Sequence, residues 1–260
     1  MRLMVDGIDT FVATGGRDFD PALPCVVFLH GAGMDHSVWA LLARSFAHHG
    51  YAVLAPDFPG HGRSAGAPLS SIAALADWTA ALIDAGGVGR ARLVGHSMGS
   101  LVALETAARH PEKVTALGLI ATAAPMRVSE DLVNAAKAND HAAVDMISIW
   151  GHGYHATLGG SQAPGLWMLG GGERLLERAG PGVLFADLSA CNAYQDALAS
   201  AAKVKVPSTV IIGSRDLMTP AKGGETVAAA LSGCRVAMIE GAGHMLMSER
   251  PDDVLAALRT

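Results

Sequence analysis

The chain has few aromatic residues, few cysteines and no cluster of basic residues, and each shortage excludes a class of protein. Phe, Trp and Tyr make up only 5% of the 260 residues, which disfavours an aromatic-rich β-sandwich. Cys25, Cys191 and Cys234 are odd in number and widely spaced, so we expect free thiols rather than a disulfide framework. With a net charge of −5, the chain has no electrostatic footprint for nucleic acid or an anionic membrane.

The sequence also lacks a long apolar run. Its longest weakly polar stretch, residues 114–126, is too short to cross a bilayer. The first seven residues contain neither the apolar core nor the cleavage site of a secretory signal, so we expect a cytoplasmic protein. Half of the residues are nonetheless hydrophobic, which predicts a large core of helices packed on a sheet.

Short apolar runs alternate with helical patterns along most of the chain. Buried strands are predicted at residues 24–29, 51–55, 91–94, 114–121, 207–212 and 235–239. Sustained alternation of strand and helix requires a mainly parallel sheet with right-handed crossovers. Two extended segments on either side of Asp6-Gly7, residues 2–5 and 10–14, predict an antiparallel edge. The fold class is therefore α/β.

The alternation is interrupted once, between residues 125 and 203. Helices are predicted at 129–138, with Ser129 as the N-cap, and at 141–150. Residues 159–182 contain eight glycines and two prolines, so short pieces are expected there instead of one helix. We predict a core formed by residues 1–124 and 204–260, with residues 125–203 inserted as a lid.

The pentapeptide Gly95-His96-Ser97-Met98-Gly99 is the most informative stretch of the chain. It follows a short apolar run and precedes residues 100–110, which favour a helix. Glycines flank the serine of such a turn because the neighbouring backbone leaves no room for a β-carbon. The pattern predicts an exposed Ser97 at the carboxyl end of a strand, which is a position suited to a nucleophile.

Other strand ends carry the groups that a serine nucleophile needs. The turn His30-Gly31-Ala32-Gly33 can present backbone N–H donors to a developing oxyanion, and Asp216 and His244 follow two later strands. A serine hydroxyl requires an imidazole to take its proton, and that imidazole requires a carboxylate. Because the carboxyl ends of parallel strands meet at one edge, we expect Ser97, Asp216 and His244 to lie together.

Five motifs of this chain occur in the order typical of one known family. They are His30-Gly31-Ala32-Gly33, Asp57-x-Pro59-Gly60-x-Gly62-x-Ser64, Gly95-His96-Ser97-Met98-Gly99, Gly213-Ser214-Arg215-Asp216 and Gly243-His244. On these motifs the chain resembles the α/β-hydrolase superfamily over essentially its full length. The resemblance implies an eight-stranded, mostly parallel sheet with helices on both faces and a helical lid after the sixth strand.

The resemblance also implies a role for each motif residue. Ser97 would be the nucleophile, His244 the general base and then acid, and Asp216 the carboxylate that orients it. The backbone N–H groups of Ala32 and Met98 would form the oxyanion hole.

Further residues are candidates for lining a substrate site. His30 and His96 flank the predicted site, where a packing role is the alternative. Within the lid, Trp150, Tyr154, Trp167 and Met168 are expected on an apolar face that contacts substrate or forms lid core. His141, His152 and His155 lack the spacing and neighbouring ligands of a zinc site, so no metal or cofactor is predicted.

The apolar lid favours a small to medium, uncharged, fairly hydrophobic carboxylic ester or lactone, cleaved through an acyl-enzyme. The partner expected is therefore a small molecule, with no nucleic acid and no membrane. Three alternatives stay open: a C–C bond hydrolase of ring-cleavage products, a cofactor-free perhydrolase or haloperoxidase, and a non-catalytic small-molecule receptor on the same fold.

Overall fold

The computed structural model describes residues 1–162 and 165–259 and contains one eight-stranded sheet. Its strands are β1 (Arg2–Val5), β2 (Ile8–Ala13), β3 (Cys25–Leu29), β4 (Ala52–Pro56), β5 (Ala91–His96), β6 (Val114–Ile120), β7 (Ser208–Gly213) and β8 (Arg235–Ile239). Their spatial order is β1-β2-β4-β3-β5-β6-β7-β8. The first two strands are antiparallel, and the six from β3 to β8 run parallel.

The central strands are buried on both faces, as their uninterrupted apolar sequences predict. Every residue of β3 and β4 is buried. The register places Leu29 of β3 beside Gly95 of β5, and His96 beside Ile120 of β6. The loops that follow these strands therefore open at one edge of the sheet.

Helices cover both faces of the sheet. The α-helices of the described residues are α1 (Ala40–His48), α2 (Ile72–Ala85), α3 (Met98–Arg109), α4 (Glu130–Ala138), α5 (Ala142–Gly151), α6 (Tyr154–Thr157), α7 (Met168–Leu176), α8 (Val183–Ala193), α9 (Ala197–Lys203), α10 (Ala221–Ala230), α11 (Leu246–Glu249) and α12 (Pro251–Arg259). Trp78 of α2 and Leu101 of α3 belong to one apolar cluster, whereas Phe46 of α1 and Val254 of α12 belong to the other. The predicted α/β class with helices on both faces is confirmed.

The edge hairpin differs slightly from its prediction. Asp6 and Gly7 have positive φ angles of 47° and 77°, as a two-residue hairpin turn requires. Because so tight a turn leaves only two residues outside the ladder, Val5 pairs with Ile8. The second strand consequently begins two residues earlier than the sequence predicts.

Residues 125–203, called the inserted segment below, lie between β6 and β7. Their described part contains helices α4 to α9 and no strand. The Ser129 side chain accepts a hydrogen bond from the Leu132 N–H and caps α4, as predicted. Residues 163 and 164, which belong to the predicted glycine-broken stretch, lie outside the described residues. No helix in the described residues is long and apolar enough to cross a membrane.

Candidate active site

Ser97 occupies a strained turn between β5 and α3. Its φ of 52° and ψ of −120° are unusual for a residue with a side chain, and such strain persists only where the surroundings enforce it. Here the enforcement is close packing of backbone. A β-carbon on Gly99 would lie 2.2 Å from the Leu29 carbonyl oxygen, and one on Gly95 would lie 2.0 Å from the Gly99 oxygen. The flanking glycines are therefore required by the approach of α3 to β3 and β5.

Asp216 and His244 form a buried, hydrogen-bonded pair after β7 and β8. His244 Nδ1 lies 2.8 Å from Asp216 Oδ2. The other carboxylate oxygen accepts hydrogen bonds from the N–H groups of Met218 and Thr219, each 2.8 Å long. Burial opposes ionisation of Asp216, but His244 and Thr219 outweigh it and hold the carboxyl pKa below its usual value. Asp216 is therefore a carboxylate that fixes the Nδ1–H tautomer of His244.

Thr219 contacts both members of this pair, and its role was not predicted from the sequence. The Thr219 hydroxyl donates to Asp216 Oδ2 at 2.6 Å and lies 3.2 Å from His244 Nδ1. A threonine three residues after the aspartate is a local signal, because its backbone and hydroxyl both reach back to the carboxylate.

The loop that carries His244 is attached to the inserted segment. The Gly151 carbonyl at the end of α5 accepts hydrogen bonds from the N–H groups of His244 and Met245, at 3.0 and 2.9 Å. The buried Glu249 carboxylate accepts from Gly153 and Gly243, each at 3.0 Å. The position of His244 therefore depends on both parts of the chain.

Ser97 and His244 line the same cavity, which has a volume of about 190 Å³. Ala32, Trp150 and Thr219 line it as well. The remaining wall is mostly apolar and comprises Met34, Met126, Val128, Leu132, Ile147, Leu188, Cys191, Leu217 and Met218, with Arg127 and Ser129. Pockets for drug-sized ligands have volumes of roughly 300–1,000 Å³. Because this cavity is smaller and mostly apolar, it suits a small apolar group of a substrate.

Ala32 lines this cavity, and Met98 immediately follows Ser97, which lines it as well. Among the described residues, no acceptor takes a hydrogen bond from the Ala32 N–H. Met98 is the first residue of α3, where N–H groups have no partner within the helix. The Cys191 thiol is the other nucleophilic group in the wall, and burial raises its pKa, so it stays protonated.

His30 and His96 are completely buried and are not among the residues that line the cavity, so their contact with substrate stays a prediction. His30 Nδ1 bonds the Gly31 carbonyl at 2.9 Å, and its Nε2 accepts from Phe58 N–H at 3.1 Å. His96 Nε2 bonds the His244 carbonyl at 3.0 Å. Burial lowers their pKa values, to about 4 for His30 and about 3 for His96, and both rings are neutral. These two histidines therefore hold the backbone around the site in place through their hydrogen bonds.

Of the lid residues expected to contact substrate, only Trp150 lines the cavity that contains Ser97. Trp167 and Met168 border a separate surface groove, and Tyr154 borders another depression. Trp167 and Tyr154 are each 73% exposed. Substrate contact by these three residues stays a prediction, because aromatic and apolar residue types do not reveal which side of a short helix or turn faces inward.

The described residues contain one cluster of possible metal ligands, formed by Asp35, His36 and Asp57. Asp57 Oδ1 accepts from the backbone N–H of His36 and lies 2.7 Å from His36 Nδ1. Asp57 Oδ2 accepts from the Arg63 N–H. These bonds account for the cluster as a brace of the 57–64 loop, and we assign it no metal.

The chain is similar to known proteins over most of its length. A family model described as alpha/beta hydrolase fold matches residues 24–251. A pimeloyl-[acyl-carrier protein] methyl ester esterase of Chromobacterium violaceum is 32% identical over 260 residues, covering 96% of this chain and 97% of the relative. The enzyme of the same name from Neisseria meningitidis serogroup B is 33% identical over 185 residues, covering 66% and 67%.

Solved structures agree with these matches. A thermophilic esterase is 28% identical, with a TM-score of 0.81 over 100% of this chain and 95% of the other. The enol-lactonase from Burkholderia xenovorans has the same fold, with a TM-score of 0.86, 24% identity and coverage of 100% and 98%. The chain belongs to the α/β-hydrolase fold family.

Proposed function

We propose that the protein is a serine hydrolase that cleaves a small to medium, uncharged, fairly hydrophobic carboxylic ester or lactone. The observation that carries this proposal is that Ser97, on its strained turn, and His244, paired with Asp216, line one apolar cavity. The similarity to esterases supports the same reaction class.

In the proposed reaction, Ser97 Oγ attacks the acyl carbon while His244 Nε2 takes the hydroxyl proton. Asp216 stabilises the resulting imidazolium, and the N–H groups of Ala32 and Met98 stabilise the oxyanion. Collapse of the tetrahedral intermediate expels the alkoxide, which receives the proton from His244. Water, activated by His244, then attacks the acyl-enzyme and releases the acid and Ser97.

Residues 125–203 act in this proposal as a lid over the core formed by residues 1–124 and 204–260. Their contribution is the apolar wall, which excludes water and selects the carbon chain. The relatives fit this substrate class in part. Two are named as esterases of pimeloyl-[acyl-carrier protein] methyl ester, and a structural neighbour is named an enol-lactonase.

The first test measures hydrolysis of p-nitrophenyl esters of increasing chain length, beside lactones. Ser97→Ala and His244→Ala should each reduce kcat at least about 10³-fold, because each removes a reacting group. Melting temperatures should stay close to that of the wild type.

Labelling by a fluorophosphonate provides an independent readout. The wild type should be modified stoichiometrically at Ser97, and Ser97→Ala should not react. A wild-type rate in either purified variant would contradict the assigned roles, and a wild type that neither labels nor turns over would indicate a non-catalytic receptor.

A further inference from the structure

Asp187 is a charged residue buried in the inserted segment. It lies in the middle of α8, within the otherwise apolar sequence Val183-Leu-Phe-Ala-Asp-Leu, and only 1% of its surface is exposed. Its Oδ2 accepts a hydrogen bond from the Gly33 N–H at 2.8 Å and lies 2.8 Å from His61 Nε2. One oxygen therefore joins α8 to two loops of the core.

The other carboxylate oxygen, Oδ1, is buried and has no hydrogen-bond partner among the described residues. A buried carboxylate with an unused oxygen is a costly way to stabilise a fold, so its presence requires another explanation. Gly33 supplies one, since it immediately follows Ala32, whose N–H is a proposed oxyanion donor.

Two adjacent peptide groups in this loop are held by hydrogen bonds. The Gly31 carbonyl, in the peptide group that carries the Ala32 N–H, accepts from Met34 N–H at 3.2 Å and bonds His30 Nδ1 at 2.9 Å. A trans peptide directs its N–H opposite to its carbonyl, so fixing the Gly31 oxygen aims the Ala32 N–H. Asp187 fixes the following peptide group through Gly33 N–H.

His61 contributes a positive charge next to Asp187. Its Nδ1 lies 3.0 Å from the Pro59 carbonyl oxygen, and its Nε2 faces the Asp187 carboxylate. Both neighbours accept hydrogen bonds, so both ring nitrogens carry a proton and the ring is an imidazolium. Burial opposes this charge, but Asp187 and the Pro59 carbonyl outweigh it and raise the His61 pKa.

The positive charge of the His61 imidazolium compensates the negative charge of Asp187. A lone carboxylate beside the oxyanion loop would repel the negative charge that develops on the substrate oxygen. Paired with His61, Asp187 can hold the loop without presenting a net charge to it.

We propose that Asp187 is a positioning residue of the oxyanion hole, which acts from the inserted segment through the Gly33 N–H and is neutralised by His61. This inference rests on the proposed hydrolase function. It assigns part of the catalytic geometry to residues 125–203, in addition to their apolar wall.

The test compares Asp187→Ser, whose short side chain no longer reaches the Gly33 N–H, with a control variant, Glu105→Gln. Glu105 is also a buried carboxylate that joins the core to the inserted segment, since its Oε2 accepts from Tyr194 and Ser200 hydroxyls, each at 2.6 Å. It makes no contact with the oxyanion loop. Both variants are assayed for melting temperature and for kcat and KM with p-nitrophenyl butyrate.

Asp187→Ser, which removes the acceptor for the Gly33 N–H, should lower kcat about 10- to 100-fold, which is less than the roughly 10²- to 10³-fold loss expected from deleting an oxyanion donor. Its KM should change less than about twofold, since the apolar wall is intact. Glu105→Gln should lower the melting temperature but leave kcat within about twofold. Phenylboronic acid, which forms a tetrahedral anionic adduct with serine, should bind Asp187→Ser more weakly by a factor similar to the loss in kcat/KM.

Should Asp187→Ser not fold, Asp187→Ala removes the same acceptor without burying a hydroxyl and carries the same expectations. A wild-type kcat in the folded variant, or an equal kcat loss in Glu105→Gln, would overturn the positioning role. Failure of the proposed function is distinguishable, because the wild type itself would then show neither turnover nor fluorophosphonate labelling.

Discussion

The edge of the sheet and the inserted segment face each other across one cavity, yet they differ in what they place there. The core supplies Ser97, His244 with its buried Asp216 partner, and the Ala32 N–H, which donates to no acceptor in the part of the chain that the structure describes. The inserted segment supplies mainly apolar side chains, namely Met126, Val128, Leu132, Ile147, Trp150, Leu188 and Cys191. In the proposed function, chemistry and substrate selection are thus assigned to different parts of the chain.

Hydrogen bonds between the two regions make this division incomplete. The Gly151 carbonyl holds the backbone of His244, and Asp187 holds that of Gly33. Both contacts act on loop backbone at the edge of the core. In the proposed function, the inserted segment therefore fixes the position of reacting groups that it does not itself contribute.

The largest expected effect comes from adding a single methyl group to the core, at Gly99. In Gly99→Ala the new carbon would lie 2.2 Å from the Leu29 carbonyl oxygen and 2.6 Å from that of His30. Because both neighbours are backbone, relief requires moving β3 or α3, and we expect at least about 2 kcal/mol of lost stability. Turnover should fall below about 1% of wild type. Urea unfolding and ester hydrolysis measure the two effects.

The matched variant lies in the inserted segment. In Gly171→Ala, within α7, the added carbon would meet no atom within 4 Å. Alanine favours a helix over glycine, so stability should be unchanged or rise by about 0.5–1 kcal/mol, with wild-type turnover. Equal losses in both variants would remove the distinction between a close-packed core and a tolerant insertion.

The core could be predicted from the sequence because its signals are local. Each reacting group follows its own apolar strand within a few residues, and parallel pairing brings those strand ends together. The strained turn at Ser97 is indicated in the sequence by Gly95 and Gly99, which flank the serine. The eight-stranded sheet followed from the motif order through the family resemblance, and the structure confirms it.

The contacts of the inserted segment could not be predicted in the same way. Asp187 bonds Gly33, which lies 154 residues away, and Glu249 bonds Gly153, which lies 96 residues away. No local pattern encodes such a partner. One signal was present for Asp187, namely a lone acidic residue within an apolar stretch, which is costly to bury without a partner. The aromatic residue type was a weaker signal for an inward-facing side chain. Trp167 was expected on an apolar face of the inserted segment, and it is 73% exposed.

Trp150 and Trp167 provide an intermediate effect within the inserted segment. Trp150 lines the cavity, whereas Trp167 is 73% exposed on the outer surface. Trp150→Ala removes apolar contact worth about 1–2 kcal/mol, so KM for a short ester should rise about 10-fold and the preferred chain should lengthen into the new space. Trp167→Ala should leave both parameters within about twofold.

Steady-state kinetics with p-nitrophenyl acetate, butyrate and octanoate measure this pair of variants. A chain-length shift in Trp167→Ala, without one in Trp150→Ala, would mean that substrate enters through the outer groove. The assignment of the apolar wall to the inner helices would then be wrong.

The smallest effect is a pH dependence of stability at the contact between the two regions. Burial opposes protonation of His61, but Asp187 and the Pro59 carbonyl raise its pKa above the usual 6.5. A raised pKa in the folded state stabilises the protein fully below about pH 6.5, and this stabilisation is lost as the pH rises through the folded-state pKa. The free energy of unfolding should therefore decline above neutral pH, by at most about 1.4 kcal/mol per pH unit from this group.

Asp187→Asn isolates that contribution, because the other charged or titratable groups that face His61, Asp57 and His30, are unchanged. The difference in unfolding free energy between wild type and variant, measured in urea from pH 6 to pH 9, should shrink as the pH rises. A constant difference would mean that His61 is neutral across this range. The charge on Asp187 would then face the oxyanion loop without compensation. The ion pair between Asp187 and His61 could then not be the reason why a residue of the inserted segment can hold the backbone of the proposed oxyanion loop in place.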